Sequence, residues 1–325
     1  MPGERRDEAL TVGDRRCPVC GAAGGAAIAA NVDPARLDGF SFASRKVPEY
    51  MHWRLVTCEA CDTLYADPAP SQEVLEQAYE RADYDSGEAA GYAADTYARL
   101  LPRLLAQTPP GGGALDIGAG DGAFLRELRK EGLDDVVGVE PSGSARATAA
   151  ADVRDLIRPG RFRGEDFEPG RFRLVTAFQT LEHVAEPLAL CRSAHRLLHD
   201  GGALAVVCHD RRALLNRVLK RRSPIFDIEH LQLFSRPALR RLFRHAGFER
   251  IEMHPVLNRY PLRVWLRYVA IPASLKRRVL DALQGRMGAM AIAVPVGNVA
   301  VIGYRARPVV ADHRPRGVTE IATTP

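Results

Sequence analysis

The stretch Ala114–Phe124, ALDIGAGDGAF, constrains the fold more than any other part of the chain. A short apolar run carrying one acid passes through alternating glycines and then into a helical pattern, FLRELRKEG. Glycines let the backbone turn sharply and approach a ligand closely. The spacing of Gly118, Gly120 and Gly122 is GxGxG, not the GxGxxG of a dinucleotide fingerprint. A second apolar run, Asp135–Glu140 (DVVGVE), ends in an acid twenty residues after Gly120. An acid at that place can accept hydrogen bonds from both hydroxyls of a ribose. The residues alone therefore predict an adenosine-bearing cofactor and leave NAD and S-adenosylmethionine both open.

Three further strands are expected: one near Arg161–Phe162 leading to Gly164-Glu165-Asp166, one at Arg173–Phe178 and one at Ala203–Cys208. Helical segments lie between them. The alternation predicts a doubly wound α/β sheet with its ligand across the carboxyl ends of the strands. With 46% hydrophobic residues, the 325-residue chain can build a sizeable core. Its length fits two domains, or one domain with a small module attached.

The six cysteines divide unevenly. Cys17 and Cys20 form one CxxC pair and Cys58 and Cys61 another, whereas Cys191 and Cys208 stand alone in apolar surroundings and read as core. No signal peptide is read at MPGERRDEAL, so the paired cysteines point to a metal rather than to disulfides. Four thiolates from two knuckles suit a tetrahedral, closed and therefore structural zinc site. Short strands and loops are expected between the knuckles. After Asp67-Pro-Ala-Pro70, Ser71 is the expected N-cap of a helix with Glu73 in its first turn. Residues 91–107 read as mostly helical, with Tyr97, Leu100, Leu101 and Leu104 on one side and Pro102 kinking or splitting the helix.

In order and spacing, ALDIGAGDG, VVGVEPS, GEDFE, RFRLVTAFQTLEHVAEP and LLHDGGALAVVC resemble class I S-adenosylmethionine-dependent methyltransferases of the type with LEHV after the fourth strand. EHLQLFSRPALRRLFRHAGF is similar to that family's stretch before its last two strands. The knuckles and CDTLYADPAPS resemble an N-terminal zinc-binding module found in front of some of these enzymes. The resemblance implies a Rossmann-like class I methyltransferase sheet with a zinc-binding module and a helical lid. The expected organisation is a flexible N-terminus at 1–13, the zinc-binding module at 14–70 and a helical lid or linker at 71–110. The S-adenosylmethionine-binding domain follows at 111–305, with a substrate-cap insertion at about 209–234, and a disordered tail occupies 306–325.

By the same resemblance, Asp116, Gly118, Ala119 and Gly120 shape the pocket for the cofactor's amino-acid end. Glu140 takes the ribose hydroxyls, and Pro141 and Ser142 lie against the adenine. Glu165 or Asp166 sits near the adenine amino group. Gln179 and Thr180 line the pocket, and Tyr84 approaches from the lid. The family commonly has Phe-Asp before the fourth strand; this chain has Phe172-Arg173, which predicts a changed structural contact rather than lost catalysis.

Methyl transfer to a hydroxyl benefits from a base suited to neutral pH. His183 in TLEHV is the leading candidate, followed by His230 in IEHLQLFS and His209 after the fifth strand. The expected acceptor is a small molecule, glycan or natural-product intermediate, most readily methylated at oxygen. The basic run Arg211–Arg222 is read as a solvated lid helix, or as a clamp for an anionic group or lipid, which allows an anionic acceptor and peripheral membrane contact. Net charge +5 and pI about 9.0 are far from a nucleic-acid footprint, and no NPPY-like tetrapeptide follows the fourth strand, where FQTL stands. A cytoplasmic protein is expected. RNA-directed methylation, an NAD-dependent oxidoreductase and an inactive zinc-bearing adaptor are the alternative readings.

Overall fold

Two sheets organise the chain, one small and one large, and they meet at the loops after the large sheet's strands. The computed structural model describes residues 15–36, 41–42, 49–84, 87–267, 273–283 and 286–307. The expectations for 1–13 and for most of 306–325 fall outside the described residues.

The N-terminal part contributes three short strands: β1 (Ala27–Ile28), β2 (Leu55–Thr57) and β3 (Leu64–Ala66). The helices α1 (Gln72–Arg81), α2 (Gly87–Ala98) and α3 (Leu101–Gln107) follow. Ser71 caps α1 as expected, its Oγ accepting from the Val74 N–H at 3.3 Å. Pro102 sits in the first turn of α3, so the helical stretch is split there rather than bent.

The alternating core then runs through β4 (Gly113–Ile117), α4 (Ala123–Lys130), β5 (Val136–Glu140), α5 (Gly143–Thr148), α6 (Ala151–Arg154), β6 (Ile157–Pro159), β7 (Phe172–Phe178), α7 (Pro187–Leu197) and β8 (Leu198–His209). The third strand lies at 157–159, not at Arg161–Phe162. Pro159 has no N–H to extend the ladder, and Gly160, at φ +96°, turns the chain away. After β8 come α8 (Leu214–Leu219), β9 (Gln232–Leu233) and α9 (Arg236–His245). The long strands β10 (Arg250–Pro261) and β11 (Ala291–Tyr304) enclose α10 (Leu262–Arg267), α11 (Ala273–Ala282) and α12 (Arg286–Ala289).

The large sheet has the order β10-β11-β8-β7-β4-β5-β6. Its strands β8, β7, β4, β5 and β6 are parallel, and β11 and β10 close one edge antiparallel. Every residue of β4 and β5 is buried, as parallel strands covered on both faces require. One face packs α7 and α9 together with the cysteine knuckles. The other packs α2, α3 and α4. This is the doubly wound, Rossmann-like architecture expected.

The small sheet has the order β1-β2-β3-β9. Its last strand is not N-terminal at all: β9 comes from the segment after β8 and pairs Leu64 with Leu233. Trp53, Leu55, Leu64, Ile225, Ile228 and Leu231 share one core. The N-terminal module and the cap segment are thus one folded body.

Arg173, where the family commonly has an acid, closes the end of α3. Its Nε donates to Thr108 Oγ1 at 2.9 Å, and an NH2 group donates to the carbonyls of Leu105 and Thr108 at 2.6 and 3.0 Å. A cation there satisfies free helix carbonyls and opposes the negative end of the dipole. Arg173→Ala is expected to lower stability by about 1–3 kcal/mol while leaving the strand ends unchanged. Urea unfolding would show it as a lower midpoint with an unaltered slope.

Candidate active site and metal centre

The turn after β4 is shaped by its glycines. Gly118 has φ +79°, and a Cβ there would stand 2.7 Å from Thr180 Oγ1; the position is both left-handed and closed to a side chain. Glu140, at the end of β5, clamps this turn. Its Oε2 accepts from the Gly120 N–H and its Oε1 from the Ser142 N–H, each at 2.8 Å. A carboxylate offers about four lone-pair positions and so can hold several donors at once.

A cavity of about 330 Å³ opens beside this turn. Of the expected cofactor residues, Glu140, Pro141, Glu165, Gln179 and Thr180 line it. Gly118, Ala119 and Gly120 are not among its lining residues. Asp116 is buried within β4 and accepts from the Thr176 hydroxyl at 2.6 Å. The Tyr84 hydroxyl reaches the glycine turn, 3.7 Å from where a Cβ on Gly120 would be. Ser142 spends its hydroxyl as the N-cap of α5, accepting from the Ala145 N–H at 3.1 Å. Glu165 reaches the cavity wall; Asp166 does not. Gln179 has left-handed backbone at φ +52°, and its buried Nε2 has no hydrogen-bond partner among the described residues. A non-glycine residue held in that conformation, with a buried donor facing a cavity, marks a ligand position.

The three candidate histidines converge. The rings of His183 and His230 are 4.9 Å apart, and those of His230 and His209 are 5.3 Å apart. Only His183 lines the cavity. Its Nδ1 lies 3.2 Å from the Tyr79 hydroxyl and 3.6 Å from Glu229 Oε2. His230 is buried with Nδ1 2.8 Å from the Ile225 carbonyl. His209 has Nδ1 2.7 Å from Asn298 Oδ1, and burial lowers its imidazole to about 4.

Tyr79 and Glu229 were not singled out from sequence. Tyr79 shares the α1 face of Leu75 and Glu76, and all three line the cavity; that i, i+3/i+4 spacing was the available signal. Glu229 was visible only as the neighbour of His230. The basic run behaves differently from a clamp on the cavity. Arg211 and Arg212 ion-pair with Asp62, Arg211 at 2.6 Å, and no residue from Arg211 to Arg222 lines the cavity, whose charged wall residues include Glu76, Glu186, Glu229, Arg161 and Arg163.

Glu182 holds the histidines in place. It is fully buried; its Oε1 accepts from the His209 N–H at 2.7 Å and its carbonyl from the Leu231 N–H at 2.8 Å. Burial raises its carboxyl from 4.5 to about 7.

The four paired cysteines come together as expected. The Sγ atoms of Cys17 and Cys61 are 3.5 Å apart, as are those of Cys20 and Cys58, and all four lie within 4.8 Å of one another. Bonds of about 2.3 Å in a tetrahedron place sulfurs roughly 3.8 Å apart, so the cluster fits a divalent ion. Four charged thiolates this close and this buried are stable only around a cation.

The family described as "Methyltransferase domain" matches residues 89–253. A ubiquinone biosynthesis O-methyltransferase of Methylococcus capsulatus is 31% identical over 113 residues, covering 33% of this chain and 45% of the relative. One from Pseudomonas aeruginosa is 32% identical over 97 residues, covering 27% and 40%. The chain thus spans less than half the length of these curated relatives. Among solved structures, phosphoethanolamine N-methyltransferase 2 of Haemonchus contortus is similar at 19% identity and a TM-score of 0.48, over 75% of this chain and 63% of that one. The YcgJ protein of Bacillus subtilis is similar at 13% identity and a TM-score of 0.46, over 66% and 99%.

The raised carboxyl of Glu182 and the lowered imidazole of His209 give opposite pH dependences. Glu182 contributes stability that is present below 4.5 and lost as pH rises through about 7. His209 contributes stability that is present above 6.5 and lost as pH falls through about 4. Glu182→Gln keeps an acceptor oxygen for the His209 N–H and removes the first dependence. Its stability relative to the unaltered protein should therefore climb between about pH 5 and about pH 8, by on the order of 1–3 kcal/mol. Thermal melts across that range would show a rising difference; a constant offset would contradict the assignment.

Proposed function

Because the chain belongs to the methyltransferase-domain family, we propose that it is an S-adenosylmethionine-dependent methyltransferase acting at a hydroxyl of a small organic acceptor. The observation that carries this reading is the single cavity that Glu140 and Gln179 share with His183. Bound S-adenosylmethionine supplies an electrophilic methyl group. The glycine turn would face its amino-acid end, and Glu140 would accept from its ribose hydroxyls. The free Nε2 of Gln179 is a donor just past β7, and Glu165, on the cavity wall, would meet the adenine.

Tyr79, His183 and Glu229 form the acceptor side. The Tyr79 hydroxyl can accept from the His183 Nδ1–H at 3.2 Å, with Glu229 Oε2 close by at 3.6 Å; in that tautomer Nε2 is the basic nitrogen that would take the acceptor's proton. Glu229 then stabilises the imidazolium that results, as a carboxylate partner does for a catalytic histidine. His209 is a poor base at neutral pH because burial keeps it neutral down to about 4. Together with His230 it supports His183 from behind. Oxygen as the methylated atom accords with the O-methyltransferase relatives. The cysteine cluster is read as a structural zinc site, and its reduced thiols suit the cytoplasm.

Titration calorimetry with S-adenosylhomocysteine, and turnover of labelled S-adenosylmethionine on a set of small phenols and alcohols, test the two sides separately. Glu140→Gln should weaken cofactor binding by about tenfold or more, because charge-assisted bonds contribute roughly 1.5–3 kcal/mol each. His183→Ala should leave that affinity unchanged and slow turnover about 10²–10⁴-fold. A folded His183→Ala protein with full turnover would remove His183 from the reaction. Absence of any S-adenosylhomocysteine binding would remove the function.

A further inference from the structure

Six large apolar side chains stand exposed among the described residues: Leu214, Leu215, Val218, Leu257, Leu275 and Met290. Their placement is not scattered. β8 ends at His209, which pairs with Asn298 of β11. The segment 291–297 and its partner segment 257–261 therefore extend past the carboxyl end of β8 as an arm that carries α10, α11 and α12. α8 follows β8 at the same end and lies against that arm, since a Cβ on Gly297 would stand 2.6 Å from Ala213 Cβ. All six exposed side chains belong to α8 or to the arm. Leu214 is 78% exposed and Val218 67%.

Charge follows the same division. Residues 211–222 hold six basic side chains and no acid, and residues 257–290 hold seven basic side chains and one acid. Arg211 and Arg212 are committed to Asp62, and Arg263 to Glu88. Arg217, Lys220, Arg221 and Arg222 are exposed and carry no salt bridge to a described carboxylate. None of the described helices is long and apolar enough to cross a membrane.

We propose that α8 and the arm form a docking face for the surface of an anionic phospholipid bilayer. Apolar side chains interleaved with unpaired cations match such a surface: the former enter the acyl boundary and the latter meet the headgroups. A second copy of the chain is disfavoured on this face, because a twofold contact would set two strongly basic patches against each other. Nucleic acid would use the cations but leave Leu214 and Val218 in water. The loops lining the cavity leave the same carboxyl edge of the sheet, so docking sets that edge toward the bilayer. The inference rests on this surface alone and holds whatever the acceptor is.

Vesicle co-sedimentation of the full chain tests it, with phosphatidylcholine alone and with phosphatidylcholine containing phosphatidylglycerol. Binding is expected only to the anionic vesicles and should weaken as salt screens the cations. Arg217→Gln/Arg221→Gln/Arg222→Gln should reduce it by about a hundredfold, and Leu214→Ser/Val218→Ser should also reduce it. Both variants should melt where the unaltered protein does, since the altered side chains face solvent. Three results would overturn the inference. The first is failure of the unaltered protein to bind anionic vesicles. The second is binding that neither variant weakens. The third is a dimer in solution that Leu214→Ser/Val218→Ser dissociates, which would assign the face to a second copy.

Discussion

A buried carboxyl at Glu182 is the knot on which the acceptor side depends. It sits just past the end of β7, yet it holds two other segments: the His209 N–H at the end of β8 through its side chain, and the Leu231 N–H beside β9 through its backbone. Burying a carboxyl is costly unless its oxygens are used or it takes up a proton. Here one oxygen holds His209, the other has no hydrogen-bond partner among the described residues, and burial raises the carboxyl to about 7. The reward is geometric, because His183, His209 and His230 each lie within two residues of an atom that Glu182 fixes.

The cavity is consequently built from two sheets. Its cofactor side comes from the strand ends of the large sheet: the glycine turn after β4, Glu140 on β5 and Gln179 after β7. The segment holding Glu229 and His230 leads directly into β9, which completes the small sheet, and Trp53 Nε1 donates to the Ile228 carbonyl at 2.7 Å. Asp62, one residue past Cys61, holds Arg211 and Arg212 just beyond His209. The cysteine cluster is remote from the chemistry in sequence, but mechanically it lies one residue from a clamp on the acceptor side.

What could be read from the sequence was local. Gly118, Gly120 and Glu140 belong to one strand–turn–helix–strand unit whose spacing carries its own meaning, and the CxxC pairs announce their geometry. Long-range contacts carried no such signal. Tyr79 and His183 are 104 residues apart, and nothing in either neighbourhood indicates the other. β9 has two residues, too few for a period, so the union of the N-terminal module with the cap was invisible. The third strand lies four residues before the expected Arg161–Phe162, because Pro159 and the left-handed Gly160 end it there. The basic run was legible as charge, but whether it faced the cavity or solvent could be decided only by where β8 ended.

The central claim is that the cysteine cluster supports the acceptor side and not the cofactor side. Hydrogen exchange on the protein before and after treatment with a zinc chelator tests this directly. The account predicts faster exchange in residues 15–66 and also in 225–233 and around Glu182–Val184. It predicts unchanged protection of β4 and β5 and retained affinity for S-adenosylhomocysteine. A change confined to residues 15–66, or loss of cofactor binding together with exposure of β4, would contradict it.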